Sequence, residues 1–363
     1  MVNKFKFLGI FVLLLTVSCT EEEVVFVNGT ELEEGTTVDT EESIKDKASF
    51  NIGGTVKTSQ MKNDSDFNPA LTANFNQITA EFEMKMENIW TASDTYNWEA
   101  ADYLVDFAEN NDMEVHGHVL LWYNSIPNWL ANESNDSIVF EAKIKSYITE
   151  VVTRYKGKIK SWDVVNEVFE DNGSLRSDDV ISPLFTDLVG FYVRCFQYVR
   201  DVDPDAELFY NDYSIVVNAS KRNAIKNIVI HFKAEGYPID GIGAQFHYTK
   251  TTSLATIKTG FTDIASTGLL MHISELDMVM NSGKLDGFIF SSSAAQEQSD
   301  IYQGIVEMYN NLPENQKFAI TTWGVSDKYT WLKDFWHPRV YPLLLDENYN
   351  KKKAYQGFLN GLD

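Results

Sequence analysis

Two stretches of the chain carry carboxylates at positions where chemistry could use them. The first is Trp162-Asp163-Val164-Val165-Asn166-Glu167, an apolar run from Ile159 that ends abruptly in an amide and a carboxylate. The second is Leu269-Leu270-Met271-His272-Ile273-Ser274-Glu275-Leu276-Asp277. A strand buried on both faces is nearly all apolar, so Asn166 and Glu167 belong where the first strand leaves the core. Two such strands, each delivering a glutamate at its C-terminal end, put a carboxylate pair across one cavity. A paired acid and nucleophile is the equipment that cleaves glycosidic bonds. A lone glutamate after a strand is more often a cap or a solvated charge. The pair carries the reading.

The elements that must position this pair follow from periodicity. Apolar runs at Phe50–Gly54, Gln77–Glu81, Glu114–Val119, Ile159–Val165, Glu207–Asn211, Ile239–Phe246, Leu269–Glu275 and Phe318–Trp323 predict strands. Amphipathic stretches such as Ala100–Asn111, Glu141–Tyr155, Leu184–Arg200, Ala219–Glu235 and Ala294–Asn311 predict helices between them, with Asp and Asn clusters and Gly236 at their ends. Eight strands interleaved with helices imply an α/β fold, a closed (β/α)8 TIM barrel forming one catalytic domain. An open doubly wound sheet is the alternative, but a Gly-rich first βα turn is missing.

Barrels of this kind take their chemistry from the C-terminal ends of the strands. Those ends offer Glu81 with Lys85, His118 with Trp122, Asn166 with Glu167, and Asn211 with Asp212. Gln245 and His247, then Glu275 and Asp277, and finally Trp323 with Trp331 complete the rim. Carboxylates perform acid, base and nucleophilic steps, amides and lysine bind hydroxyls, and tryptophans stack on sugar rings. An acid and a nucleophile must hold different protonation states at one pH, which repulsion between neighbouring carboxylates favours.

Composition narrows the partners. The 363 residues are 44% hydrophobic and carry a formal charge of −23, which disfavours nucleic acid and anionic lipid as partners and suits a neutral polymer. Residues 1–19 read as a lipoprotein-type signal peptide, with Lys4 and Lys6 ahead of an apolar run from Phe7 to Val17 that is too short to span a bilayer. Leu15-Thr16-Val17-Ser18-Cys19 resembles a bacterial lipobox and makes Cys19 the lipidation site. Residues 20–44 read as an acidic flexible tether, because Thr20 to Ser43 holds nine acidic side chains and no basic one. The expected address is export to a surface-exposed position on the outer membrane, with secretion or a periplasmic location as alternatives. Membrane contact is expected only through the lipid anchor, and the protein is expected to be a monomer. Cys195 reads as a small buried hydrophobe. No cysteine–histidine cluster suggests a metal, and no cofactor is expected.

From roughly Lys47 to Leu359 the chain resembles glycoside hydrolase family 10, of the endo-β-1,4-xylanase type. The most specific motifs are Trp162-Asp163-Val164-Val165-Asn166-Glu167 and Ile273-Ser274-Glu275-Leu276-Asp277. Gly117-His118-Val119-Leu120-Leu121-Trp122, Gln245-Phe246-His247 and Thr322-Trp323-Gly324-Val325-Ser326-Asp327 agree with them in order and spacing. The resemblance implies that Glu167 is the general acid/base and Glu275 the nucleophile of a retaining mechanism on xylan. It implies further that Asn166 binds the 2-hydroxyl of the sugar at the cleavage point and that His247 orients Glu275. Glu81, Lys85, His118 and Gln245 would line the glycone side, with Trp122, Trp323 and Trp331 as walls. Asn211 and Tyr213 would serve the aglycone side. Trp162 and Asp163 precede the mouth and are expected to pack or cap.

Four positions depart from the family pattern. Phe82 stands where asparagine is usual, Tyr123 where histidine is, Ser125 where glutamine is, and Met86 where tryptophan is frequent. All four are expected near the glycone-side contacts, where exchanging polar groups moves substrate choice. Two further readings therefore stand beside xylan hydrolysis. One keeps the mechanism on a different β-glycan or a decorated or mixed-linkage xylan. The other is a glycan-binding surface lipoprotein without turnover.

Overall fold

A computed structural model describes residues 25–27, 30–32 and 35–363 apart from residue 134. The signal peptide and Cys19 lie outside the described residues. Eight strands run in parallel: β1 (Asn51–Val56), β2 (Gln77–Ala80), β3 (Glu114–Gly117), β4 (Ser161–Asn166), β5 (Glu207–Asp212), β6 (Gly241–Ala244), β7 (Leu270–Val279) and β8 (Lys317–Thr322). Each pairs with its neighbour in sequence. β8 then pairs with β1, Ala319 opposite Asn51, which closes the barrel and leaves it no free edge. The expected TIM barrel is what forms.

Eight principal helices cover the outside: α1 (Phe67–Asn74), α2 (Glu99–Asn110), α3 (Ser137–Tyr155), α4 (Leu188–Val202), α5 (Ala219–Glu235), α6 (Leu254–Ala265), α7 (Ser292–Asn310) and α8 (Lys353–Gly361). Capping explains where their starts differ from the periodic signal. α3 begins four residues before Glu141 because the Asp136 carboxylate accepts the N–H groups of Ile138 and Val139. α4 begins at Leu188, not Leu184, because Asp187 caps the Gly190 N–H. α5 ends as its sequence says, with Gly236 in the left-handed conformation at φ 74°.

One strand boundary bears on the site. Glu275 was expected at the end of its strand, but β7 continues to Val279, where the short strand His247–Thr249 pairs with it in parallel. The added pairing sets His247 opposite Asp277. A second difference concerns the tether. Its last ten residues are not free: Thr36 and Ser43 are buried, Val38 donates its N–H to Lys351, and the Lys353 N–H bonds back to Thr36. The apolar content of residues 20–44 gives little sign of this, because the docking uses backbone groups, the Ser43 hydroxyl and a single apolar side chain, the fully buried Ile44.

Aromatic and imidazole rings fill the barrel interior below the mouth. Phe209 and Phe318 pack with centroids 4.5 Å apart, and His116 meets His272 at 4.7 Å. Trp162, fully buried, lies against the bare backbone of Gly117, where an added Cβ would come within 2.1 Å of the indole. Gly117→Ala is therefore expected to cost about 1–3 kcal/mol of stability through overpacking. Thermal or denaturant unfolding would show it, and an unchanged midpoint would mean that Trp162 can move aside.

Candidate active site

The strand ends enclose a cavity of about 310 Å³ at the C-terminal mouth of the barrel. Glu81, Phe82, Lys85, His118, Trp122, Asn166, Glu167, Gln245, His247, Glu275, Trp323 and Trp331 line it. Of the residues expected at the rim or beside it, Asn211, Asp212, Tyr213 and Asp277 do not line the cavity: Asn211, Asp212 and Asp277 are fully buried, and Tyr213 is partly buried outside it.

The two candidate carboxylates are held by different kinds of partner. Glu167 leaves β4 with φ 58°, its N–H bonded to the Asn211 carbonyl at 3.0 Å. Its Oε2 accepts the Trp122 indole N–H at 2.9 Å, and its Oε1 accepts the Gln245 amide at 2.9 Å. Both donors are neutral. Glu275, nearly fully buried, meets a charge: His247 Nε2 lies 2.9 Å from Oε2, while the Asn211 amide donates to Oε1 at 3.0 Å. His247 Nδ1 in turn lies 2.9 Å from Asp277, whose same oxygen accepts the Trp331 indole N–H at 3.0 Å.

These partners set the protonation. Burial disfavours the His247 cation, but Asp277 and Glu275 on its two nitrogens outweigh burial and raise its pKa to about 10. At neutral pH both ring nitrogens are donors. Burial would likewise raise Glu275, yet the His247 cation and the Asn211 amide hold it below the usual glutamate value. Glu275 is therefore a buried carboxylate kept ionised.

The amides are wired together. Asn211 donates to Asn166 Oδ1 at 3.0 Å as well as to Glu275, and its own oxygen accepts the Ser274 hydroxyl at 2.6 Å. Asn211 therefore supports Glu275 and does not face an aglycone sugar, because β5 points its side chain between the flanking strands. The Tyr213 ring centroid lies 3.1 Å from the Lys221 ammonium and its hydroxyl accepts Arg176 Nη2 at 3.4 Å, also outside the cavity lining. His118 is fixed by Asp163 Oδ2 at 2.8 Å. Burial alone would raise the Asp163 carboxyl, but His116 and His118 hold it well below the usual carboxylate range.

At the opposite end Glu81 is paired with Lys57 at 3.0 Å. The Lys85 ammonium lies between the rings of Phe82 and Trp122, 4.9 and 4.7 Å from their centroids. Burial lowers its pKa, against the pull of Glu275 and Glu81.

Of the four departures from the family pattern, only Phe82 borders the cavity, with 45% of its surface exposed. Ser125 and Met86 are buried. The Tyr123 ring lies 4.0 Å from the Arg176 guanidinium carbon. Met86, Tyr123 and Ser125 therefore lie outside the cavity lining.

Sequence reasoning gave no role to three groups that orient the site. Asp277 could have been found, since it lies two residues past Glu275 on the same face of one strand. Asp163 is a charge inside an apolar run, a signal set aside as packing. Arg176 comes from the loop after β4 and carries no periodic mark.

A profile of Glycosyl hydrolase family 10 matches residues 40–361. The chain is 35% identical to the curated endo-beta-1,4-xylanase Xyn10C of Cellvibrio japonicus over 79% of its own length and 51% of the relative's. Identity is also 35% to the exoglucanase XynX of Acetivibrio thermocellus, over 84% of this chain and 28% of that one. It thus spans about half the length of the first of these two relatives and about a quarter of the second. Among solved structures, native xylanase 10C of Cellvibrio japonicus superposes with a TM-score of 0.82 at 32% identity, covering 88% of this chain and 72% of that one. Xylanase 10B of Thermotoga maritima does so with 0.81 at 31%, covering 88% and 96%. A barrel closed in the same way and a profile match across nearly all of it lead to one conclusion: the chain belongs to glycosyl hydrolase family 10.

Proposed function

We propose that this protein is a retaining endo-β-1,4-xylanase in which Glu275 is the nucleophile and Glu167 the general acid/base. The observation that carries this reading is the asymmetry of the two carboxylates: Glu275 is held ionised by the His247 cation, while Glu167 meets only the neutral Trp122 and Gln245 donors. Two carboxylates in unlike surroundings are how one site runs acid and nucleophilic chemistry at a single pH. The names of the relatives support the substrate, and one related structure, a mutant of xylanase 10C, holds xylopentaose.

In the first step a Glu275 oxygen attacks the anomeric carbon as Glu167 gives its proton to the departing glycosidic oxygen. This forms a glycosyl ester on Glu275. In the second step ionised Glu167 takes a proton from water, whose oxygen displaces the ester and restores Glu275. Asn166 is suited to the 2-hydroxyl, and Glu81, Lys85, His118 and Gln245 to hydroxyls on the glycone side. Trp323 and Trp331 supply stacking walls. The tether and Cys19, read from sequence, would hold the enzyme on the cell surface, where a polymer is reachable.

Phe82 favours a second reading of the substrate. An exposed ring on the cavity wall binds by stacking and does not read individual hydroxyls, so it admits decorated xylan or another β-glycan.

Product analysis on unbranched xylan tests the main reading, with internal cleavage to short oligosaccharides expected and Glu275→Ala abolishing it. Glu167→Ala should lower turnover about 10²–10⁴-fold. Proton NMR of the first product should show the β-anomer; an initial α-anomer would refute retention. Folded protein that cleaves no xylan but cuts another β-glycan would favour the second reading.

The His247 cation makes a pH prediction. Its folded pKa lies above that of an unfolded histidine, so its stabilising effect is complete below about pH 6.5 and fades as pH rises through about 10. Asp277→Asn removes one anion facing the ring and should move the alkaline limb of kcat/KM toward neutral pH. A limb that stays in place would show that His247 titration does not govern it.

A further inference from the structure

Behind Glu167 lies a buried ion pair that the reaction above does not use. Lys221, on α5, and Asp212, the last residue of β5, are both fully buried, with the ammonium 2.7 Å from Asp212 Oδ1. The same oxygen accepts the Tyr213 N–H at 2.8 Å. Asp212 Oδ2 accepts the Tyr210 hydroxyl at 2.5 Å, and that hydroxyl accepts the Val168 N–H at 3.2 Å. On the far side of the same peptide unit, the Glu167 carbonyl accepts Arg176 Nε at 3.2 Å. The peptide joining Glu167 to Val168 is thus gripped by its hydrogen and by its oxygen.

The grip answers a strain. Glu167 has φ 58°, a left-handed conformation that costs a residue with a side chain about 1–3 kcal/mol and persists only where the surroundings impose it. The Glu167 N–H bond to the Asn211 carbonyl holds φ from the preceding peptide, and the gripped peptide holds ψ; were that peptide to rotate, the turn at Glu167 would change and its carboxyl would swing away from Trp122 and Gln245. A tyrosine hydroxyl can donate and accept together, and its direction is fixed here by the carboxylate. With its proton on Asp212, a lone pair is left for Val168. Burial pushes Asp212 up to about 7, against the opposing pull of the Lys221 ammonium and the Tyr210 hydroxyl.

We infer that Tyr210, Asp212, Lys221 and Arg176 clamp the Glu167–Val168 peptide and are positioning residues that aim the Glu167 carboxyl for proton transfer. The inference rests on the reading of Glu167 as the proton donor. Positioning errors of about 1 Å cost on the order of a hundredfold.

Tyr210→Phe keeps the ring and removes both of its bonds. Two substrates separate positioning from damage. A xylo-oligosaccharide has a sugar leaving group that must be protonated, whereas a dinitrophenyl β-xylobioside has one that departs without a proton. For the variant we expect kcat/KM on the oligosaccharide to fall about 10- to 100-fold with KM little changed. On the aryl glycoside kcat/KM should stay at the wild-type value. Equal losses on both substrates, or no loss on either, would overturn the clamp. Arg176→Lys tests it from the carbonyl end should Tyr210→Phe not fold: the same split is expected, and its absence counts against the clamp. Failure of the underlying reading would look different, since the wild-type protein would then cleave neither substrate and the clamp would fall with it.

Discussion

A carboxylate can stay ionised inside a protein only if something pays back the water it has lost, and at Glu275 that partner is the His247 cation. The remaining architecture of the mouth can be read as what this one contact requires. His247 must itself be kept charged, which Asp277 does from the opposite nitrogen. Asp277 must be aimed, and the Trp331 indole aims it. β7 supplies Glu275 and Asp277 two residues apart on one face, and its extension past Leu276 holds the His247 strand in register with them. The continued strand is therefore a condition of the chemistry.

Glu167 is treated in the opposite way. Its donors are neutral, and its backbone, not its charge, is what the protein constrains. Asn211 lies between the two systems: its amide reaches Glu275 and Asn166, and its carbonyl takes the Glu167 N–H. A single residue of β5 thereby fixes the relative placement of the two carboxyls. Barrel closure makes such a link rigid, because β5 is hydrogen-bonded on both sides and cannot slide without breaking two ladders.

Much of this was legible in the sequence, and the illegible part has a physical cause. Strand-end residues such as Glu81, His118, Gln245 and His247 were placed correctly because the apolar run before each one announces where the strand leaves the core. The profile match then carried the family. What the sequence could not separate was a residue facing the cavity from one facing the next strand, since both are polar and both follow an apolar run. Asn211 was misread for that reason. Tyr123, Ser125 and Met86 were expected near sugar contacts on sequence proximity to Trp122 and Lys85, but Ser125 and Met86 are buried and the Tyr123 ring meets Arg176 outside the cavity lining. Arg176 belongs to an irregular loop, where no period says which way a side chain points.

This separation bears on how the site could change. The groups that orient Glu275 and Glu167 are buried and share partners, so a substitution at Asn211, Asp277 or Asp163 leaves a polar atom unpaired in the interior. Phe82 has no such obligations. Its half-exposed ring lies beneath the Lys57 and Lys85 ammonium groups on the cavity wall, and its carbonyl takes the Asn88 amide whatever its side chain. An exchange at this position alters the cavity wall without removing a partner of either carboxylate, which is why a departure from the family pattern can stand there beside an intact carboxylate pair.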